Sequence, residues 1–121
     1  MSTPVPELPS YYAKYTSIAI PKEMDLNEIF RKMEEIAYSL EGFAKESKAD
    51  DWVVTVTERT DAERPVKIDM NLFVKQDKTY LLEIQRRMGD AFKFNATFNI
   101  IKSQMLGREL VPAWQLSVLN F

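Results

Sequence analysis

The sequence predicts an α+β domain in which an antiparallel sheet of four to five strands carries two amphipathic helices on one face. Two stretches repeat apolar residues every three or four positions, and the stretch between them alternates apolar with polar residues. Short polar links join the alternating runs, which is typical of an antiparallel meander. The predicted order is β-α-β-β-β-α plus an apolar C-terminal tail, and the helices supply the cover that one face of the sheet needs.

The first strand and the first helix are predicted from residues 15–43. Residues 15–20 form a short β-like run that Pro21 ends. Asp25 with Glu28 three residues later is a capping pattern for a helix start. Eight apolar residues follow at helical spacing and predict a helix of about 18 residues. They are Leu26, Ile29, Phe30, Met33, Ile36, Ala37, Leu40 and Phe43.

The meander and the second helix follow from residue 52 onward. Period-two alternation predicts one strand from Trp52, a second over residues 66–74 and a third over residues 79–85. Residues 86–90 are predicted to break the last strand, and Asp90 can cap a helix that Gly107 ends. Helical spacing supports that helix, because Ala91, Phe94, Phe98, Ile101 and Met105 stand three or four apart.

Composition favours one folded domain. A chain of 121 residues with 45% hydrophobic and 28% charged residues has ordinary globular proportions, so disorder is not expected. Residues 1–14 contain Pro4, Pro6 and Pro9 and are predicted to be a flexible lead-in or linker. Residues 15–121 are predicted to be the single domain. Its tail, residues 110–121, is too apolar to be expected free in water.

The residue inventory argues against an enzyme. Histidine and cysteine are absent from the sequence, and the three glycines do not form a phosphate-binding loop. We therefore expect no catalytic residues, no metal site and no cofactor. A net charge of −2 argues against nucleic-acid binding. No signal peptide or membrane-spanning run is recognisable, so a cytoplasmic protein is expected, with membrane-peripheral or nuclear placement left open.

Charge is unevenly distributed along the chain. Residues 22–51 contain five basic and nine acidic residues, whereas residues 75–108 contain seven basic and three acidic ones. The sequence therefore predicts one basic side of the domain, which can bind phosphate groups. We call its five candidate residues the basic rim: Arg86, Arg87, Lys93, Lys102 and Arg108. Phe92 lies off the apolar stripe of the second helix and is a candidate aromatic anchor.

Residues 85–94, read Gln-Arg-Arg-Met-Gly-Asp-Ala-Phe-Lys-Phe, resemble the kinase-associated-1 domain. This domain ends several serine/threonine kinases, including the microtubule-affinity-regulating, maternal embryonic leucine-zipper and checkpoint kinases. The resemblance extends over residues 15–105 through the order of the elements. It implies a non-catalytic regulatory module that binds its own kinase domain, anionic phospholipid membranes, or both. The positions matching the family's basic surface are Arg86, Arg87 and Lys93.

Two other classes of function remain open from sequence. The chain can be a stand-alone adaptor or a chaperone-like dimer that uses the acidic first helix and the apolar tail for contacts. It can also be a small-molecule binder whose sheet is lined by Trp52, Phe73 and Tyr80. The first of these predicts an obligate dimer, whereas the regulatory module is expected to be a monomer. The second requires a sizeable apolar pocket beside those three aromatic residues.

Overall fold

In the computed structural model, which describes residues 3–107, five antiparallel strands form one sheet in the order β1-β5-β4-β3-β2. The α+β fold is therefore confirmed, and both helices pack on the sheet. The elements are β1 Ser17–Ala19, α1 Leu26–Ser39, β2 Phe43–Lys48, β3 Val53–Glu58, β4 Lys67–Val74, β5 Tyr80–Met88 and α2 Ala91–Met105. The predicted tail and Arg108 lie outside the described residues.

The core forms between the helices and one face of the sheet. Val54, Ile68, Met70, Leu82 and Ile84 lie on this face, and each is fully buried. The predicted period-two pattern is confirmed, because burial alternates along β4. Burying each such side chain stabilises the fold by about 1.5–3 kcal/mol relative to leaving it exposed. Because all of these side chains point to one face, the alternation fixes the face of the sheet that the helices cover.

Helix α1 is shorter than predicted, and a strand was missed. The helix begins after its cap Asp25, whose side chain accepts the Glu28 N–H, but it ends at Ser39 after 14 residues. Gly42 has φ +80°, which turns the chain, and Phe43 begins β2 rather than continuing the helix. The observed order is therefore β-α-β-β-β-β-α. The five residues after Phe43 in β2 are all exposed, so this edge strand has no apolar alternation for the sequence to reveal.

Strand β5 continues further than predicted. Residues 86–88 were expected to break the strand, but β5 extends to Met88. The ladder to β4 pairs Ile68 with Arg86 and Lys67 with Met88, with a bulge between these pairs. A bulge adds one residue to one strand and bends it locally. Both arginines therefore belong to the sheet and not to a loose connection.

The N-terminal segment, residues 3–14, which was predicted as a flexible lead-in or linker, contacts the sheet. Val74 N–H donates to the Pro6 carbonyl and Leu8 N–H donates to the Val74 carbonyl, at 2.9 and 3.0 Å. The segment thus pairs with the end of β4 beyond the reach of β3. The unpaired backbone groups at the end of β4 give this proline-containing segment a binding partner.

Candidate docking surface at the junction of β5 and α2

The junction between β5 and α2 is a close-packed turn. Gly89 has φ +99°, and a Cβ atom placed on it would lie 2.6 Å from Val66 Cα and 2.8 Å from the Pro65 carbonyl oxygen. Only glycine fits this position without backbone movement. Asp90 then caps α2, because its side chain accepts the Lys93 N–H at 2.9 Å. The position of the first turn of α2 relative to β5 is therefore fixed.

Arg86 and Arg87 point to opposite faces of the sheet. Arg86 pairs with the core-facing residue Ile68, and its Nη1 donates to the Gly89 carbonyl at 3.3 Å. Arg87 lies on the helix-free face, where its Nε is 3.3 Å from Asp69 Oδ2. Adjacent residues of a strand point to opposite faces of the sheet. The two guanidinium groups therefore flank the junction.

Lys93 brings a third cation to the same junction. Its Nζ is 3.3 Å from Glu58 Oε2, and its side chain remains 64% exposed. The Arg87 side chain is 53% exposed in its pair with Asp69. Exposed pairs of this kind contribute only about 0–1 kcal/mol to stability. Both cations can therefore exchange their partners at little cost.

The two carboxylates in these ion pairs are held more firmly than the cations. Glu58 uses its other oxygen, Oε1, to accept the Val66 N–H at 3.2 Å. Asp69 uses Oδ1 to accept the Thr55 hydroxyl at 2.7 Å. Both carboxylates are also less exposed than their partners. At the junction, the carboxylates of Glu58 and Asp69 are therefore held in place, whereas the cationic side chains of Lys93 and Arg87 can move.

Phe92 is the most apolar exposed feature of this surface. Its ring is 85% exposed in the first turn of α2, next to Lys93. The neighbouring apolar positions Phe94 and Phe98 instead lie in the core. An exposed ring beside cations is typical of an anchor at a membrane or protein surface.

The five residues of the basic rim do not form one cluster. Lys102 is nine residues after Lys93, so it lies about two and a half turns away, on the opposite side of α2 and about 14 Å along its axis. Arg108 lies outside the described residues. The structure places Arg86, Arg87 and Lys93 at one end of the sheet, with Arg87 on the face opposite to Arg86, and Phe92 lies next to Lys93 in the first turn of α2. We call these four residues the junction surface.

Sequence reasoning missed the acids that pair with the junction surface. The two acidic residues nearest to it in sequence, Glu83 and Asp90, are engaged elsewhere, because Asp90 caps α2. Glu83 is only 6% exposed, and it accepts hydrogen bonds from Asn71 Nδ2 at 2.9 Å and Ala13 N at 2.7 Å. The pairing of Arg87 with Asp69 depends on the register between β4 and β5, which a bulge shifts, so no local sequence signal could reveal it.

A second basic group lies at the opposite end of β5, where Lys75 and Lys78 flank the β4–β5 turn. Asp77 lies between them, and hydrogen bonds from the Thr79 hydroxyl and then the Thr79 N–H hold the pKa of its carboxyl below the usual value. Asp77 therefore remains ionised and offsets the lysines. This group does not extend the junction surface.

The structure gives no support to a binding pocket beside the three aromatic residues. Trp52 is fully buried and packs edge-to-face against Phe30, with ring centroids 5.5 Å apart. The larger of the two described cavities is lined by Glu7, Leu8 and residues 74–78, and none of the three aromatic residues lines it. Within residues 3–107 no cluster of acidic residues has a metal-binding arrangement, and neither helix is long and apolar enough to cross a membrane.

Comparison with known proteins identifies no relative. A scan of the chain against protein-family models and a search of curated proteins both found no match. The geometry of the junction surface is therefore the basis for the function proposed below.

Proposed function

We propose that the chain is a non-catalytic regulatory module of a serine/threonine kinase that docks through the junction surface onto anionic partners. The observation that carries this proposal is the close-packed Gly89 junction, which carries Arg86, Arg87, Lys93 and an exposed Phe92 within residues 86–93. The resemblance of residues 85–94 to the kinase-associated-1 domain is centred on the same turn. The proposed location is the cytoplasm, at membrane surfaces when bound.

The chemistry of the junction surface suits a surface rich in phosphate or carboxylate groups. Arginine binds two oxygens of one phosphate, and Lys93 adds a more flexible charge. Each basic residue near an anionic leaflet contributes about 1 kcal/mol, so three residues give weak, reversible attachment. Insertion of the Phe92 ring adds an apolar contribution. Such a weak affinity for anionic membranes suits a module that also docks onto a second partner.

A kinase domain in the same polypeptide is the second proposed partner. Tethering gives an intramolecular partner a high effective concentration, so a weak interface is sufficient to inhibit. If the kinase domain and the membrane use the same three cations, binding of one excludes the other. This competition couples membrane attachment to release of the kinase.

The first test is charge reversal at the junction. The double variant Arg86→Glu/Arg87→Glu should lower the affinity for vesicles containing anionic phospholipid by about 100-fold, because two attractions become two repulsions. The measurement is vesicle sedimentation with and without anionic lipid, at low and high salt, because screening weakens an electrostatic attachment. Thermal stability should change by about 1 kcal/mol or less, since both side chains are exposed.

The matched control is the double variant Lys75→Glu/Lys78→Glu. It changes the net charge equally but lies at the other end of β5, about 26 Å away. We expect it to retain most of the vesicle binding. If the wild-type chain does not bind anionic vesicles, or if both double variants bind equally, the proposed membrane role of the junction surface is wrong.

Removing the charge of Glu58, one of the two carboxylates paired with the junction surface, is predicted to increase the affinity for anionic vesicles. Glu58 pairs with Lys93 in the free domain, so an anionic partner must compete with it. Glu58→Gln keeps an oxygen for the Val66 N–H but removes the charge, and we expect about fivefold tighter vesicle binding. Glu46→Gln, an exposed position on β2, makes the same change of net charge and should have little effect. Equal gains from both variants would show a general charge effect instead of competition at Lys93.

A further inference from the structure

Residues 3–9, which read Thr-Pro-Val-Pro-Glu-Leu-Pro, are restricted to an extended conformation by their three prolines. Proline fixes its own φ at about −65°, and the residue before a proline is driven out of the helical region. These two effects act on six of the seven residues and leave only Glu7 unrestricted. A segment of this kind favours the polyproline II helix, which has about three residues per turn.

The burial of this segment follows the polyproline II period. Val5 and Leu8 stand three residues apart and are half-buried, whereas the other residues of the segment are exposed. The Val5 side chain packs against the core. A β-strand with one covered face would instead bury residues that stand two apart. One face of the segment, repeating every third residue, therefore lies against the domain.

Three hydrogen bonds hold the backbone of this segment. Trp52 Nε1 donates to the Thr3 carbonyl at 2.9 Å, and Val74 N–H donates to the Pro6 carbonyl at 2.9 Å. Leu8 N–H donates to the Val74 carbonyl at 3.0 Å. Two of these bonds use carbonyl groups of the segment, which suits a ligand whose prolines have no N–H to donate. We call the surface that makes these contacts, from Trp52 Nε1 to residues 74–78, the N-terminal groove.

The segment does not fill the N-terminal groove. A half-open cavity of about 590 Å³ adjoins Glu7 and Leu8, and the rest of its lining is the β4–β5 turn, residues 74–78. An apolar side chain larger than leucine at the place of Leu8 would bury more surface in this cavity. Lys75 and Lys78 belong to the same lining, so they attract an acidic residue at the place of Glu7.

We propose that the N-terminal groove binds a proline-rich peptide of a partner protein, and that residues 3–9 occupy the groove in the absence of this partner. The peptide has the pattern Val-Pro-Glu-X-Pro, in which X is an apolar residue larger than leucine. Docking of polyproline II peptides onto grooves with aromatic residues is a recurring mode of recognition, because the stiff peptide loses little conformational freedom on binding. The space left beside Leu8 favours this partner over a second copy of the chain, whose own segment would leave the same space unfilled.

Residues 3–9 are therefore a tethered competitor of the partner peptide. Tethering gives the segment a high effective concentration, so the partner peptide must fit the groove better than the segment does. The groove lies at the end of β4 where Val74 pairs with Tyr80, whereas the junction surface lies at the end where Lys67 pairs with Met88. The two surfaces are thus separate, and one domain can bind both partners together.

The test titrates the full chain with three synthetic heptapeptides, monitored by the NMR signals of the Val74 amide and the Trp52 indole N–H. The first peptide copies residues 3–9, the second has phenylalanine in place of Leu8, and the third has alanine in place of every proline. The phenylalanine peptide should bind about fivefold more tightly than the copy, because it fills the cavity. The alanine peptide should bind about tenfold more weakly than the copy, because it is less pre-organised.

Opening the groove is expected to increase the affinity for the proline-containing peptides. The double variant Val5→Ser/Leu8→Ser removes the two apolar side chains that hold the segment, so these peptides should bind about tenfold more tightly than to the wild-type chain. Tyr11→Ser is the matched control, because Tyr11 follows the segment and is 95% exposed, and it should bind the peptides as the wild-type chain does. An unchanged signal of the Met70 amide, in the centre of the sheet, shows that a variant remains folded.

Three outcomes would overturn the proposal. If the double variant binds the proline and alanine peptides equally, or if no peptide shifts the Val74 amide, the groove does not recognise polyproline II peptides. Equal affinities for the phenylalanine peptide and the copy would show that the cavity is not part of the site. If the Val74 and Trp52 signals of the wild-type chain alone change on tenfold dilution, the occupant is the segment of a second copy.

Discussion

Replacing Gly89 with alanine is expected to lower the free energy of unfolding by about 3 kcal/mol or more. Two costs add at this position. The positive φ of +99° strains any residue with a Cβ atom, and that atom would lie 2.6 Å from Val66 Cα. Because Val66 Cα is a backbone atom, it cannot rotate away from the added Cβ atom as a side chain could. Thermal or chemical denaturation measures the loss, with a fall in Tm of roughly 10 °C.

Gly42→Ala is the matched control. Gly42 also has a positive φ, +80°, but a Cβ atom there would meet nothing within 4 Å. It should cost only about 1 kcal/mol, the strain of the left-handed backbone alone. The difference between the two variants isolates the close approach of the β5–α2 junction to Val66. Equal losses would mean that the junction is not packed as described.

Trp52→Ala is expected to destabilise the domain by about 4 kcal/mol, because it empties the space beside Phe30 in the core. This is a large part of the 5–15 kcal/mol that is typical of a whole domain, so partial unfolding at 37 °C is expected. Trp52 has φ +58°, an unfavourable backbone conformation for a bulky residue. Side-chain packing therefore compensates this strain, and denaturant titration measures the loss.

The variant Trp52→Phe separates the contribution of side-chain packing to stability from the contribution of the hydrogen bond that the indole makes. The indole Nε1 donates to the Thr3 carbonyl at 2.9 Å, and phenylalanine retains the apolar contact without this donor. The cost should be about 1 kcal/mol. Hydrogen exchange should accelerate at the Leu8 amide, which pairs with Val74, and not at Met70 in the centre of the sheet. Unchanged exchange at Leu8 would show that Thr3 does not anchor the N-terminal segment.

The sequence revealed the elements that have one buried face. The caps Asp25 and Asp90 were identified because a carboxylate at a helix start is a local chemical signal. The alternation through β4 was equally direct, because Ile68, Met70 and Leu72 face the core. These signals depend on residues that are close in sequence, so one chain is sufficient to find them.

Strand β2 and the N-terminal segment could not be predicted in the same way. Phe43 continues the helical spacing after Leu40, and only the positive φ of Gly42 shows that the chain turns there. The residues of β2 after Phe43 have no buried face, so no alternation marks them. The N-terminal segment is ordered by the end of β4 and by Trp52, which are distant in sequence.

The candidate site was partly predictable for a similar reason. The cations Arg86, Arg87 and Lys93 were visible as a cluster in sequence, and so was the glycine between them. Their partners were not, because Glu58 and Asp69 come from other strands, and the bulge in β4–β5 shifts the register that brings Asp69 to Arg87. Lys102 was grouped with them by charge, although helix geometry places it on the other side of α2.

Strand β1 has a consequence for how the chain folds during synthesis. Its residues Ser17, Ile18 and Ala19 pair with residues 81–83, which come more than 60 residues later in the chain, whereas β2, β3 and β4 each pair with the next strand in sequence. Local pairing forms quickly and distant pairing slowly. The ribosome therefore releases β1 long before its partner exists, and the sheet is completed only when β5 has emerged. Until then, the apolar side chain of Ile18 depends on chaperones or on non-native contacts for cover.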